Sequence, residues 1–216
     1  MSPESPIVLA SASPRRRQIL EMLRIPFRVE AADVDERAIE YRLPRELAIK
    51  AAFLKAVEVA SRQTAGTIVV AADTIVVLEN TVYGKPETVS QAREFLAQLA
   101  GRAHTVITGI AVQEAARSSL LDAVESRVFI QPLTPEQIAD YVATGEPMDK
   151  AGAYAAQGEG RKLIQRIDGD FFNVVGLPAA RFLEMLSSYM EVAEYRGTLK
   201  KLSPEAFDAF ADRRDK

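Results

Sequence analysis

The 216-residue chain has no cysteine, no tryptophan and a single histidine. Without cysteine, disulfides, thiolate nucleophiles and thiolate metal centres are excluded, and the compartment is left open on that ground. His104 has no second histidine to share a zinc ion with, so it reads as structural. An excess of one charge is missing too: 27 Lys and Arg face 30 Asp and Glu, a net charge of −3. That balance argues against general nucleic-acid binding and makes the basic residues local in purpose. No apolar run is long enough to cross a bilayer, and the opening MSPESP lacks the basic and apolar regions of a secretory leader. The expectation is a cytoplasmic protein with no membrane partner.

What is present is ordinary for a globular domain: 48% hydrophobic and 26% charged residues, in a chain long enough for one domain or one two-lobed domain. Strand-like and helix-like runs alternate, which predicts an α/β protein. PIVLAS reads as a buried strand, PFRVEAA as a second, and TIVVAADTIVVL as a long β-branched one whose turn is ENTVYGKP. PRELAIKAAFLKAVEVASR is a long helix, and SQAREFLAQLAG is another that stops at Gly101. HTVITGIAVQ and SRVFIQPL read as strands joined by a polar connection over 114–125, so part of the sheet should be antiparallel. TPEQIADYVATG opens with a capping-box pattern, Thr134 to Gln137. RKLIQRI is a late strand and PAARFLEMLSSYM the last strong helix. The fold expected is a mixed, partly antiparallel sheet flanked by helices over residues 1–190. A charged extension follows at 191–216, read as an appendage with one short helix after Ser203-Pro204.

SASPRRRQIL, residues 11–20, poses a chemical problem. Ser13 is a favoured N-cap and Pro14 suits the first helical position, so three arginines fall in the first turn of a helix. A helix N-terminus is partly positive, and each cation there costs roughly 0.3–1 kcal/mol at an exposed site. A bound anion reverses that sign, because free N–H groups and arginine forks both favour phosphate. The alternative is a solvated basic turn.

Asp73 interrupts the β-branched run, where a carboxylate is costly unless it is paired, hydrogen-bonded or metal-bound. A strand end reaching solvent is the other reading. Lys85, between Gly84 and Pro86, is held extended and can meet a phosphate as a point charge. Lys50 and Lys55 fall on the long helix, where a wet face is the plain alternative, and Glu36 sits in the acidic DVDER. DKAGAYAAQGEG is a small-residue loop in which Gln157 offers both a donor and an acceptor to a nucleobase edge. GDFFNVVGLP reads as a shaping segment. P-loop, GxGxxG, HExxH and GxSxG patterns are all missing, so phosphate must be handled by another route.

LASASPRR, AADTIVV, GKPET, GRAHTVITGIA, GEPMDKAGAYAAQG and GDFFNVVGLP, in this order over roughly residues 6–187, resemble the Maf family of nucleoside triphosphate pyrophosphatases. The resemblance implies hydrolysis of nucleoside triphosphates to monophosphate and pyrophosphate with a divalent metal, Mg2+ or Mn2+. It also implies a two-lobed fold shared with the inosine triphosphate pyrophosphatases, with the active site in a cleft between the lobes. Asp73 would be the catalytic proton acceptor. Ser11, Arg15, Arg16, Lys55 and Lys85 would bind the phosphates, and Asp73 with Glu36 would hold the metal. Arg15, Arg16, Thr74 and the Gln157-Gly158 pair look like the dTTP/UTP branch, with Arg16, Thr74 and Gln157 setting specificity. Arg17 has no family role and is expected to face solvent. The partner implied is a small nucleotide, and the resemblance leaves room for a homodimer. The second hypothesis is a regulator of septum formation that binds nucleotide without hydrolysing it.

Overall fold

The computed structural model describes residues 7–211, so MSPESP and the last five residues of the extension lie outside the described residues. Three parallel strands start the sheet: β1 (Ile7–Leu9) lies between β2 (Arg28–Val29) and β3 (Ile68–Leu78). Antiparallel pairing then carries it from β3 through β5 (Ala103–Glu114) and β6 (Ser119–Ile130) to β7 (Ile164–Asp168). A short β4 (Thr81–Tyr83) folds back on the end of β3. The mixed, partly antiparallel sheet expected from the sequence is the sheet observed.

Period-2 alternation along β3 explains how the helices are placed. Val69 and Ala71 face one side, where α2 (Pro44–Ala60) lays Ala52, Ala56 and Val59 against them. Val70 and Ala72 face the other side and join Leu20 of α1 (Pro14–Met22), Phe182 and Leu186 of α6 (Ala179–Leu186) and Val112 of β5. Further along the same face, Val76 and Leu78 pack with Leu96 of α3 (Val89–Leu99), Ile138 of α4 (Pro135–Ala143) and Val128. One sheet face thus carries two apolar clusters. Between them the stripe is broken by Thr74 and, directly opposite in register, Thr108.

The elements differ from expectation where one side of a strand is exposed. β6 begins at Ser119, inside the stretch expected to be a polar connection. Its first eight residues pair only with β5, since β7 reaches no further than Arg127, and an edge segment tolerates polar side chains. β4 continues the hairpin past a two-residue turn in which Glu79 and Asn80 both have positive φ. GDFFNVVGLP contains a helical turn, α5 (Phe171–Val175), capped by Asp170. The capping box at Thr134 and Gln137 forms as expected. The extension forms two helices, α7 (Ala193–Leu199) and α8 (Pro204–Ala211), and both Tyr195 and Phe207 are buried in the cluster that holds α1 and α6.

Candidate active site

A cleft of about 730 Å³ opens where the two clusters part, lined among others by Arg15, Arg16, Lys55, Asp73, Lys85 and Lys150. Asp73 is 7% exposed. Its Oδ1 accepts a hydrogen bond from Lys55 Nζ at 2.6 Å, and the same ammonium lies 2.6 Å from Glu36 Oε1. Burial with a paired cation is the arrangement a carboxylate in this strand requires. Lys55 therefore points into the cleft, while Lys50 turns outward to the Glu40 carbonyl at 2.9 Å. The height of α2 over the sheet is set at Gly109, which pairs with Asp73 across β3 and β5. A Cβ on Gly109 would lie 2.1 Å from the Ala48 carbonyl oxygen, so the helix backbone rests directly on the strand.

Among the described residues no group of three or more His, Cys, Asp or Glu side chains gathers as a metal cage. Asp73 and Glu36 nonetheless converge on one cationic centre, the Lys55 ammonium. Two hard carboxylate donors on this cleft fit a divalent cation of the kind commonly held by one or two carboxylates together with substrate phosphates.

The basic side is built on α1. Ser13 occupies the N-cap position, but its hydroxyl caps nothing; its own amide donates to Ser11 Oγ at 3.2 Å. Pro14 has no N–H, and the first-turn amides of Arg15 and Arg16 have no intrahelical acceptor. The arginines diverge. Arg17 is exposed and outside the cleft, as expected. Arg15 lies 3.7 Å from Asp149. Arg16 is gripped on three sides: Nε donates to the Gly176 carbonyl at 2.8 Å, Nη1 to Ser11 Oγ at 2.9 Å and Nη2 to Thr74 Oγ1 at 3.2 Å.

Proton accounting orders the rest of that network. Thr108 donates its one hydroxyl hydrogen to the Asn173 carbonyl at 2.8 Å, so Thr74 donates to Thr108 across 2.9 Å and its oxygen is left to accept from Arg16. Gly176 has φ +127, a conformation suited to glycine, and it aims its carbonyl at Arg16. Burial lowers the pKa of both Arg15 and Arg16, against which Asp149 and Asp73 respectively pull upward. Both groups stay charged and are poorly solvated, a state an anion relieves. Lys85 is exposed at the rim.

The third wall is the loop after α4. The Glu146 carboxylate accepts from the Tyr141 hydroxyl at 2.9 Å and from the amides of Gly160 at 2.9 Å and Glu159 at 3.2 Å. Tyr141 Oη also accepts the Ala155 amide at 3.1 Å. Ala155 and Ala156 line the cleft, whereas Gln157 is half-buried beside them and is not among its lining residues. Sequence reasoning missed Thr108, Glu146 and Lys150. The hydroxyl of a strand threonine carries no local signal, and Glu146 and Lys150 look like ordinary polar loop residues until the fold brings them to the cleft wall. His104 is buried away from the cleft lining, with Nε2 2.6 Å from the Tyr154 hydroxyl.

The sequence pattern of the Maf-like protein family matches residues 6–189. The chain belongs to that family. Its relatives include a dTTP/UTP pyrophosphatase of Clostridioides difficile, 42% identical over 192 residues that make up 88% of this chain and 98% of the relative. A second, from Moorella thermoacetica, is 46% identical over 186 residues, 86% of this chain and 95% of the relative. Among solved structures, the Ham1 protein of Staphylococcus aureus aligns at a TM-score of 0.45 and 15% identity, covering 73% of this chain and 79% of that one. All the cleft residues named above fall within the family match, and α7 and α8 fall beyond it.

Proposed function

We propose that this chain hydrolyses dTTP and UTP to the nucleoside monophosphate and pyrophosphate, acting on the cytoplasmic nucleotide pool. The observation that carries the proposal is Asp73, a buried carboxylate fixed by Lys55 in a cleft that Arg15 and Arg16 also line. The names borne by the relatives support the choice of substrate. The triphosphate lies against the amide-rich start of α1, between Arg16 and Lys85. Lys55 occupies Asp73 Oδ1, which leaves Oδ2 to take a proton from water as the water oxygen bonds to the α-phosphorus. The bond from the α-phosphorus to the bridging oxygen breaks, and the negative charge on the departing pyrophosphate is met by Arg15, Arg16 and Lys85. A divalent cation held by Asp73 and Glu36 would, when bound, neutralise phosphate charge. Ser11 and Thr74 hold the Arg16 fork in plane, and Gln157, next to the lining residues Ala155 and Ala156, is the candidate reader of the base edge through its paired donor and acceptor.

The test is pyrophosphate release from a panel of dTTP, UTP, dCTP, dATP and GTP with magnesium. Turnover led by dTTP and UTP is expected. Silence across the panel overturns the enzyme and leaves a nucleotide-binding regulator.

A further inference from the structure

The C-terminal segment lies outside the family match, yet it packs into the apolar cluster that holds α1, α5 and α6 behind the cleft. Phe207 on α8 is fully buried. It meets the ring of Phe172 edge-on, with centroids 5.9 Å apart at 83°, and the ring of Phe171 at 6.1 Å and 75°. The two phenylalanines of α5 are themselves edge-to-face at 5.6 Å, so the three rings form a closed cluster. From Phe172 the path to the cleft is short. Its carbonyl accepts the amides of Gly176 and Leu177, both at 3.0 Å, and the Gly176 carbonyl holds Arg16 Nε at 2.8 Å. A second path runs through charge. Arg161 lies 3.5 Å from Asp208 and 3.7 Å from Glu205 on α8, and its amide donates to the Gln157 carbonyl at 3.2 Å. α8 also packs on α1, the helix that presents Arg15 and Arg16.

We propose that the C-terminal segment is a buttress of the nucleotide cleft: Phe207 is a positioning residue for Arg16 through α5, and Arg161 tethers the Gln157 loop to α8. The proposal rests on the reading that Arg16 grips the triphosphate. Truncating Phe207 frees the Phe172 ring, lets the Gly176 turn relax and loosens the fork geometry of Arg16. Misplacement by about 1 Å is enough to cost a site one to two orders of magnitude. Loss of Arg161 leaves Arg16 in place and loosens only the base side.

The experiment is a double-mutant cycle on the full chain, read by calorimetric binding of inorganic tripolyphosphate without metal. Phe207→Leu, which keeps most of the side-chain volume, is expected to weaken binding about tenfold, and to add nothing in an Arg16→Ala background. A wild-type affinity in Phe207→Leu overturns the proposal, whatever its melting temperature. So does an equal loss with and without Arg16, or failure of the wild type to bind tripolyphosphate. Arg161→Ala, a substitution at a half-exposed side chain, is expected to raise the KM for dTTP while leaving tripolyphosphate affinity unchanged, and an unaltered KM overturns the tether. If the wild type binds tripolyphosphate but does not hydrolyse dTTP, the hydrolase reading fails while the tripolyphosphate cycle still decides the buttress.

Discussion

Arg15 and Arg17 are two positions apart on α1 and carry the same charge, but only Arg15 faces the cleft. A hydrogen bond between a guanidinium and a phosphate contributes about 1.5–3 kcal/mol. Arg15→Ala is therefore expected to weaken nucleotide binding roughly 10- to 100-fold. Fold stability should hold or rise slightly, because a cation leaves a positive helix end. Arg17→Ala should change neither. Calorimetry showing equal losses in both variants would mean a diffuse basic patch instead of a built site. His104 carries a different prediction. Burial pushes its pKa from 6.5 down to about 4, and among the described residues its Nδ1 has no hydrogen-bond partner. Between those two values the unfolded chain binds a proton that the folded chain does not, so stability rises with pH across that window. It is complete above about pH 6.5 and falls by about 3 kcal/mol in total as pH drops to about 4. Urea midpoints measured from pH 4 to 7 should lose this slope in His104→Gln. An unchanged slope would assign the acid sensitivity to other groups.

At the scale of elements, the contact between α2 and β5 sets the site. Lys55 is delivered by α2 and Asp73 by β3, and Gly109 fixes how closely the helix approaches. Gly109→Ala forces the helix backbone outward, an overpacking that costs about 1–3 kcal/mol or more. It should also separate Lys55 from Asp73, so kcat/KM should fall by more than the lost folded fraction explains. Wild-type stability and turnover in that variant would remove Gly109 from the account. The elements legible in the sequence are those whose pattern is local: the β-branched run of β3, the alanine-rich α2 and the capping box of α4. The start of β6 was hidden because an edge segment carries polar residues, and α7 because its helix is short and charged. Its one buried residue, Tyr195, gains meaning only against the core.

Across the whole molecule, the site forms along β3, where two apolar clusters on one sheet face part at Thr74 and where α2, on the other face, delivers Lys55 to Asp73. Asp73, Lys55, Glu36, Arg15, Arg16, Ser11, Thr74 and Lys85 come from α1, α2, β3 and the loops around them, and the cleft gathers all of them. Asp73, Arg15 and Arg16 were legible because each is misplaced for structure alone, a carboxylate in an apolar strand and cations at a positive helix end, whereas Ser11, Glu36, Lys55 and Thr74 look ordinary by themselves and were marked only by the family resemblance. Thr108, Gly176 and Glu146 were not legible, because a strand hydroxyl, a turn carbonyl and a surface-type acid acquire their tasks only from partners distant in the chain. The central claim is that Asp73 activates water against a bound triphosphate. It is tested most directly by comparing pyrophosphate release from dTTP by the wild type and Asp73→Asn, with circular dichroism to establish that both are folded. Loss of the proton acceptor is expected to slow turnover about 10²–10⁴-fold, with Lys55 still paired to Glu36 and the fold retained. A folded Asp73→Asn protein that releases pyrophosphate at the wild-type rate would contradict the account.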